Sequence, residues 1–363
     1  MNRFRDHIVS LPALLRELYP VFVEEARRVV AQSSLHTMQR LHLIGCGDSY
    51  MAALAAELAF EMIAGVPAEP QNAMTFARYA AEFVPTEGVA VIGISVSGGV
   101  SRTIEGVLRA RKRGMCTLAV TSASHTPIAQ AAEHIATTRV PDLPTPDGVQ
   151  VPGARSYIAS MLMLYALALA IAEARGHHTS AWHATLAAAA EATEATLTQC
   201  DAPARALAEQ TRHAPVMVFC GSGPNYATAL FGAAKVLEAC GDHTVGQDVE
   251  EWAHLQYFAH TDATPTFLIS AYERDASRAQ EVKIAMQTIG CRVIEVSPQP
   301  DAALRTAPYP EVFAPLVMGI PLMLFAAYRA EVKGETYFRG FGGGRSIEGG
   351  GGISRIRTSQ IVV

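Results

Sequence analysis

The chain has 363 residues, of which 50% are hydrophobic and 17% charged, and its formal net charge is −5. This composition can fill the buried cores of two domains, and the mild charge without a Lys/Arg block argues against a nucleic-acid-binding surface. Six cysteines without a C-x-x-C pair indicate buried thiols in a reducing compartment. Because the N-terminus also lacks an apolar signal core, we expect a cytoplasmic globular protein.

The predicted elements alternate between short apolar strands and longer helices. Residues 1–34 have a helical pattern. The first half then has β-rich runs separated by Ala-rich helical stretches, with the runs at 42–46, 89–95 and 116–122. The second half repeats this plan, with runs at 217–223, 264–272 and 292–298. The alternation predicts βαβ units, so the expected fold class is α/β with parallel sheets covered by helices.

Two apolar stretches, 157–172 and 312–328, raise the question of a membrane. The first is slightly shorter than a membrane span and is flanked by Arg155 and Glu173, and the second contains two prolines. We therefore interpret both as buried helices of an α/β protein and expect no membrane partner.

The two halves of the chain repeat each other at a constant spacing. LIGCGDSYMAAL begins at Leu43 and FCGSGPNYATAL at Phe219, and their matching glycines, tyrosines and leucines lie 176 residues apart. Gly114 and Gly290 match at the same spacing. A shared spacing indicates a duplicated unit, and a repeat of this length is far too long for a solenoid.

We accordingly divide the chain into five parts. A helical segment (1–34) precedes a first domain (35–178), helices (179–212) lead to a second domain (213–334), and a glycine-rich tail (335–363) ends in β-like residues. Glycine-rich backbone has little reason to pack by itself. Two interpretations of the tail stay open, a strap over the site or a disordered terminus.

Each half has a Gly-x-Gly loop between a predicted strand and a predicted helix, at 45–47 and 221–223. A dinucleotide-binding fold requires a third glycine, and Tyr50 and Tyr226 stand in its place. The sequence therefore predicts no nicotinamide cofactor, and we expect no other cofactor. The histidines lack acidic or cysteine partners at metal-ligand spacing, so we assign no metal.

The stretch SVSGGVSRT (95–103) places four hydroxyls between a predicted strand and a predicted helix. Backbone N–H groups at a helix start favour an anion, serine hydroxyls add neutral donors, and glycines let the backbone approach a ligand closely. These features predict a phosphate-ester site. The alternative is that the serines only cap the helix.

Together these motifs resemble the tandem sugar-isomerase (SIS) domain family, over roughly residues 35–363. The family includes the isomerase half of glucosamine-6-phosphate synthase and the sugar-phosphate deglycases and deaminases. The resemblance implies two flavodoxin-like, three-layer α/β sandwiches, a sugar-phosphate substrate, and a homodimer with sites at the subunit interface. We expect no glutamine-hydrolysing domain in this chain.

The resemblance assigns substrate contacts to the two loops of the first half. The family's phosphate loop reads S-Q-S-G-E-T; three positions match here, and Val96, Gly99 and Val100 depart from it. A hydroxyl from the following helix is expected to replace the missing threonine. The expected substrate- and phosphate-binding residues are Gly47, Ser49, Ser95, Ser97, Gly98, Ser101 and Thr103.

The resemblance also assigns catalytic residues to the second half. The family's K-x-x-E helix corresponds to Lys235 and Glu238, and His254 follows at the family's spacing. In the family the glutamate moves a proton between C1 and C2, and the histidine helps to open the sugar ring. The structural alternatives are a surface Glu–Lys pair and a partly buried histidine.

The C-terminus departs from the synthase, which forms a Schiff base through a lysine in its tail. No lysine follows Lys333 here, and Arg355 or Arg357 can bind an anion but cannot form an imine. We therefore expect a phosphosugar isomerase, deaminase or deglycase that transfers a proton at C1/C2, rather than a synthase. The alternative is a sensor that binds a sugar phosphate and does no chemistry.

Overall fold

The computed structural model describes residues 2–143, 151–259, 264–335 and 358–363, which form two compact units. The first-sheet unit contains residues 14–142, 155–187 and 358–363. The second-sheet unit contains residues 2–13, 143, 151–154, 188–259 and 264–335. The units therefore differ from the sequential division at the chain ends, because the first residues pack with the second half and the last six with the first half.

The described residues form ten strands and thirteen α-helices. The strands are β1 (Arg40–Gly45), β2 (Ala68–Asn72), β3 (Val89–Ile94), β4 (Cys116–Thr121), β5 (His134–Thr137), β6 (Val216–Gly221), β7 (His243–Asp248), β8 (Pro265–Ile269), β9 (Arg292–Ser297) and β10 (Leu304–Arg305).

The helices are α1 (Arg3–Val9), α2 (Leu11–Ala31), α3 (Asp48–Met62), α4 (Ala73–Thr75), α5 (Ser101–Lys112), α6 (Pro127–Ala131), α7 (Arg155–Ala174), α8 (Ser180–Ala187), α9 (Ala189–Gln210), α10 (Pro224–Cys240), α11 (Val249–His254), α12 (Ala276–Thr288) and α13 (Pro315–Val332). Short 3₁₀ turns cover Leu35–Thr37, Gln256–Ala259 and Glu311–Phe313, and a π turn covers Phe76–Ala80.

The first sheet is parallel, with the strand order β2-β1-β3-β4-β5. Strands β1, β3 and β4 are the predicted apolar runs and are almost wholly buried, as expected of parallel strands covered on both faces. The outer strands β2 and β5 are more polar and only partly buried, which is why the sequence pattern did not reveal them. This order is that of flavodoxin-like folds.

The second sheet repeats the first. Its order, read from the equivalent edge, is β7-β6-β8-β9-β10, and all neighbouring strands are parallel. Strand β6 starts and ends 176 residues after β1, and β9 starts and ends 176 residues after β4. The predicted α/β class with two parallel sheets is confirmed, and the duplication extends to strand order.

Each unit has one long helix buried along nearly its whole length. In the first-sheet unit, α7 packs on α3, and the Tyr165 hydroxyl donates to the Ala55 carbonyl at 3.2 Å. In the second-sheet unit, α13 approaches α10 so closely that a Cβ at Gly232 would lie 2.6 Å from Leu322 Cδ1. Among the described residues these are the two helices long and apolar enough to cross a membrane, and 89% of each is buried within the fold. Such burial is typical of core helices.

The N-terminal helix α1 is attached to the second-sheet unit by polar contacts. Asn2 Nδ2 donates to the Ala327 carbonyl on α13 at 3.0 Å. Arg5 binds Asp201 of α9 through two hydrogen bonds of 3.0 and 2.5 Å and also donates to the Tyr328 hydroxyl at 2.7 Å. These bonds explain why the first residues pack with the second half of the chain.

Candidate functional site

The polar loops of the first-sheet unit follow its two central strands. The glycine loop (45–47) follows β1, and the hydroxyl loop (95–100) follows β3. Strands β1 and β3 are neighbours at the point where the strand order reverses. Open α/β sheets bind their ligands in the crevice beyond the carboxyl ends of the strands at this point. The fold therefore brings the two predicted loops to one crevice.

The glycine loop turns tightly into helix α3. A Cβ at Gly45 would lie 2.7 Å from the carbonyl carbon of Ser49, so the first turn of α3 passes directly over this glycine. Gly47 has φ +57°, in the left-handed region that glycine tolerates. It forms the N-cap of α3, which has no side-chain cap within the described part of the chain. The Gly47 carbonyl accepts hydrogen bonds from the Tyr50 and Met51 N–H groups at 2.9 and 3.0 Å, which closes the first turn of α3.

The hydroxyl loop packs against the start of helix α6. A Cβ at Gly98 would lie 2.2 Å from Thr126 Cβ, and Gly98 has φ +66°, so both space and conformation require glycine. The Gly98 N–H donates to the Ser95 carbonyl, and the Ile128 N–H donates to the Gly98 carbonyl, each at 3.0 Å. The loop has a defined shape that does not depend on its own hydroxyls.

The contacts of the hydroxyls argue against the capping alternative. The N-cap of α5 is Val100, and none of the described side chains caps this helix. Ser97 is exposed, and its oxygen accepts only a long 3.5 Å bond from the Gly99 N–H. Ser95 is 2% exposed, and its hydroxyl has no hydrogen-bond partner among the described residues. A buried hydroxyl without a partner is costly unless a ligand satisfies it.

Helix α5 continues the crevice with two further hydroxyls. Thr103 is fully buried and lies beside the Cys46 thiol of the glycine loop. Burial raises the pKa of Cys46, although the Thr103 hydroxyl and the nearby Arg102 charge act in the opposite direction. The Ser101 oxygen accepts a 2.9 Å hydrogen bond from the Ser359 N–H. The helix start thus contacts both the glycine loop and the end of the chain.

The equivalent crevice of the second-sheet unit has a different lining. Gly223 has φ +53° like its counterpart Gly47, but Glu311 Oε1 lies 3.9 Å from the position of a Gly223 Cβ. Glu311 is 4% exposed and is paired at 2.9 Å with Arg274. The loop after β8 begins with Ser270 at the position of Ser95, but the Ser270 hydroxyl donates to Asp275 at 2.8 Å, and the loop also carries Glu273. The second crevice is therefore acidic, and the candidate anion site lies in the first-sheet unit.

The predicted pair Lys235 and Glu238 lies on helix α10. Lys235 Nζ is 2.7 Å from Glu238 Oε2 and 4.8 Å from the centre of the Phe231 ring. The lysine side chain is fully buried, whereas the glutamate side chain is 30% exposed. The alternative of a surface Glu–Lys pair is therefore wrong for the lysine. A buried ammonium needs an anionic partner, and this one holds the glutamate in place.

His254 ends the short helix α11 in the second-sheet unit. Its side chain is 68% exposed, and Nε2 lies 3.1 Å from Glu250 Oε1. The alternative of a partly buried histidine is therefore wrong. Next to it along the chain, Leu255 and Phe258 are 61% and 75% exposed. The histidine lies on an unusually apolar stretch of surface.

The sequence analysis missed a charged cluster on α5. Glu105 is fully buried and forms ion pairs with Arg78, Arg102 and Arg109. Burial alone would raise the pKa of Glu105, but hydrogen bonds from Arg78 and the Val362 N–H and the arginine charges lower it below its ordinary value. Arg102 and Arg109 lie three and four residues from Glu105 along the sequence, so they face the same side of a helix. This spacing could have predicted the ion pairs.

Residues 358–363 lie on α5, so for these six residues the contacts favour an attached segment over a free terminus. Arg355, Arg357 and the glycine-rich part of the tail lie outside the described residues. Among the residues that are described, no group of three or more His, Cys, Asp or Glu side chains is arranged to hold a metal ion.

Comparison with known proteins finds one family model that matches the first half of the chain. Residues 34–170 match the SIS domain. The isomerising glutamine–fructose-6-phosphate aminotransferase of Gloeobacter violaceus is 27% identical over 315 residues, which cover 82% of this chain and 50% of that protein. The chain thus spans about half the length of the curated relatives it matches. The resemblance to the SIS family found in the sequence is confirmed.

Two solved structures share the fold over nearly the whole chain. The C-terminal domain of glucosamine-fructose-6-phosphate aminotransferase from Francisella tularensis has a TM-score of 0.79 at 17% identity, over 90% of this chain and 94% of that one. Glucosamine-6-phosphate deaminase from Thermotoga maritima has a TM-score of 0.74 at 16% identity, over 93% of this chain and 96% of that one. At these identities the likeness establishes the fold alone.

Proposed function

We propose that this chain, which carries a SIS domain at residues 34–170, is an enzyme that binds a phosphorylated sugar or amino sugar and transfers a proton between its C1 and C2. The observation that carries the proposal is the buried Ser95 hydroxyl, which has no hydrogen-bond partner within the described ranges and lies beside a helix start that no described side chain caps. The names of the relatives agree with it, since they include an aminotransferase that isomerises fructose 6-phosphate and a glucosamine-6-phosphate deaminase.

The phosphate is bound by the hydroxyl loop and the start of α5. Ser95 and Ser97 donate hydroxyl protons, and the first N–H groups of α5 add donors at the positive end of the helix dipole. Ser49 contributes its hydroxyl from the start of α3, beside the neighbouring glycine loop. No guanidinium or ammonium is needed, because hydrogen bonds to a charged acceptor are among the stronger ones in proteins.

Glu238 is the proton carrier in this proposal. Its carboxylate takes the proton from one of the two carbons, and the electron pair moves to the neighbouring carbonyl oxygen, which gives an enediolate or the anion of an enolamine. The same carboxylate returns the proton to the former carbonyl carbon, while the proton of the adjacent hydroxyl or amino group passes to the former carbonyl oxygen. Because the oxidation of one carbon matches the reduction of the other, no redox cofactor is required. Lys235 holds the carboxylate in place through the 2.7 Å contact.

His254 serves in ring opening by moving a proton between the ring oxygen and the anomeric hydroxyl. Its high exposure and the apolar residues Leu255, Tyr257 and Phe258 beside it support a homodimer in which this segment is covered by a second copy. An exposed apolar surface of this kind marks an interaction site. This arrangement would bring the histidine to the partner's substrate.

The reaction class is tested by mass spectrometry. Purified protein is incubated with sugar phosphates, amino-sugar phosphates and sugar-phosphate–amine adducts, and turnover is compared between wild type and Glu238→Gln. We expect turnover of at least one phosphorylated substrate by wild type, with isomerisation, release of ammonia or release of an amine as the distinguishing products. Loss of that turnover in the variant would assign the proton transfer to Glu238.

The second candidate is a sensor that binds a sugar phosphate without chemistry. A sensor would use the same phosphate site as the enzyme, so a binding measurement alone does not distinguish the sensor from the enzyme. The observation against it is the Lys235–Glu238 pair, because a buried lysine that orients a partly exposed carboxylate has no use in binding alone. Binding of a phosphorylated sugar without turnover of any compound in the same screen would favour the sensor.

A further inference from the structure

The end of the chain occupies a cluster of charges on helix α5 that is built around Glu105. The three arginines that surround this buried carboxylate come from two elements, with Arg78 on the π turn and Arg102 and Arg109 on α5 itself. One carboxylate does not use all the donors of three guanidinium groups. The cluster therefore keeps donors for a further acceptor.

Residues 358–363 supply those acceptors from their backbone. Arg102 donates to the Ser359 hydroxyl at 2.9 Å and to the Gln360 carbonyl, and Arg109 donates to the Val362 carbonyl at 2.9 Å. In the reverse direction, the Val362 N–H donates to Glu105 Oε2 at 3.1 Å. Because α5 contacts mainly the backbone of this segment, its attachment depends on Glu105 and the arginines more than on the side chains of the tail.

One further contact links the segment to the candidate phosphate site. The Ser359 N–H donates to the Ser101 oxygen at 2.9 Å, and Ser101 is the first residue of α5, directly after the hydroxyl loop. An accepted hydrogen bond uses a lone pair of the hydroxyl and leaves its proton free to donate. It also polarises the O–H group, which strengthens the bond that the hydroxyl donates.

We propose that the C-terminal segment positions the Ser101 hydroxyl as a donor to the anion in the hydroxyl loop, so that attachment of residues 358–363 and anion binding reinforce each other. The inference rests on the proposed phosphate site. It makes Ser101 the substitute for the threonine of the family's loop, and it makes Glu105 a positioning residue that acts through Arg102 and the tail. By linkage, the factor by which the segment tightens anion binding equals the factor by which the anion tightens the segment.

The test removes the single N–H that Ser101 accepts. Ser359→Pro deletes this donor from the full chain and also removes the hydroxyl that accepts from Arg102, so the matched control is Ser359→Ala, which loses the hydroxyl and keeps the N–H. Affinity for inorganic phosphate is measured by calorimetry. One hydrogen bond is worth about 0.5–1.5 kcal/mol, so we expect binding by Ser359→Pro to be roughly two- to tenfold weaker and binding by the control to stay near wild type.

The reciprocal measurement is amide hydrogen exchange of the C-terminal peptide. We expect phosphate to slow exchange at Ser359 and Val362 in wild type, and this effect to be lost in Ser101→Ala but retained in Ser101→Thr. Phosphate binding with unchanged affinity in Ser359→Pro, or without protection of the segment, would overturn the coupling and leave the phosphate site intact. No phosphate binding by wild type would overturn both.

Discussion

Lys235 and Glu238 form a salt bridge in which the lysine is fully buried and the glutamate is partly exposed, with 2.7 Å between Nζ and Oε2. The two residues are one turn apart on α10, so the helix itself sets their separation. The buried ammonium holds the partly exposed Glu238 carboxylate at a defined position. A surface pair would not hold it there, because exposed ion pairs are weak and mobile.

Replacing Glu238 by glutamine removes the proton acceptor and keeps the shape of the side chain. We expect kcat to fall by roughly 10²–10⁴, while the affinity for a sugar phosphate stays near wild type. Steady-state kinetics and calorimetry on the same preparation measure both quantities. The control is Glu281→Gln, which changes an exposed glutamate of α12. A kcat within a factor of two of wild type would remove Glu238 from the mechanism.

Replacing His254 by asparagine tests ring opening separately from proton transfer. We expect the loss in kcat/KM to be at least tenfold larger for a substrate that exists as a ring than for one fixed in the open-chain form, since an open chain needs no ring opening. The measurement is kcat/KM for both substrates with wild type and variant. Equal losses would show that His254 has a general rather than a ring-opening role.

Replacing Ser95 or Ser97 by alanine tests the phosphate site. Each lost hydrogen bond to a charged group is worth about 1.5–3 kcal/mol, so each variant should bind a sugar phosphate roughly ten- to a hundredfold more weakly. The dephosphorylated sugar should bind wild type weakly, and its affinity for the two variants should be the same as for wild type. Thr185→Ala, on the exposed face of α8, is the control. Equal affinity of wild type for the sugar with and without phosphate would remove the anion site.

The pH dependence of stability should show the titration of Glu57 on α3. Burial, with a smaller effect of Glu61, raises the pKa of Glu57 to about 7. The folded state therefore holds this proton to higher pH than the unfolded chain, so its stabilising effect is complete below the ordinary pKa and is lost as pH rises through about 7.

Glu57→Gln should accordingly raise the melting temperature at about pH 8 and change it little at about pH 5. For a protein of this size, each kcal/mol corresponds to roughly 2–4 °C. Thermal unfolding at the two pH values measures the difference, with the exposed Glu82→Gln as the control. A variant no more stable than wild type at the higher pH would contradict the assignment.

The central strands and the two loops could be predicted because their signals are local. Strands β1, β3 and β4 are continuous apolar runs, and the glycines and serines that follow them are adjacent in sequence. The edge strands β2 and β10 lack such runs, since an edge strand is covered less and tolerates polar residues. Edge strands are therefore identified only from the pairing of strands in the folded sheet.

The polar groups that line the two crevices from elsewhere in the chain could not be predicted, because they are distant in sequence from the loops they contact. Ser359 lies 258 residues after Ser101, and Glu311 lies far along the chain from Gly223. Glutamate before an apolar helix also resembles an ordinary helix start. Only the packing of the chain shows that Glu311 lies beside a glycine loop.

The equal spacing of the two halves has a consequence for how they diverged. Strands β1 and β6, and strands β4 and β9, keep the same separation at both ends, so the chain between the first and last of these strands has the same length in each half. Between them the spacing shifts once, because β1 pairs Ile44 with Gly93, whereas β6 pairs the equivalent Cys220 with Leu268, which lies only 175 residues after Gly93. The shift is made up before β9, so the two halves keep the same overall length, while the loop after the third strand has Ser270 at the position of Ser95 and carries Glu273 and Asp275 beyond it.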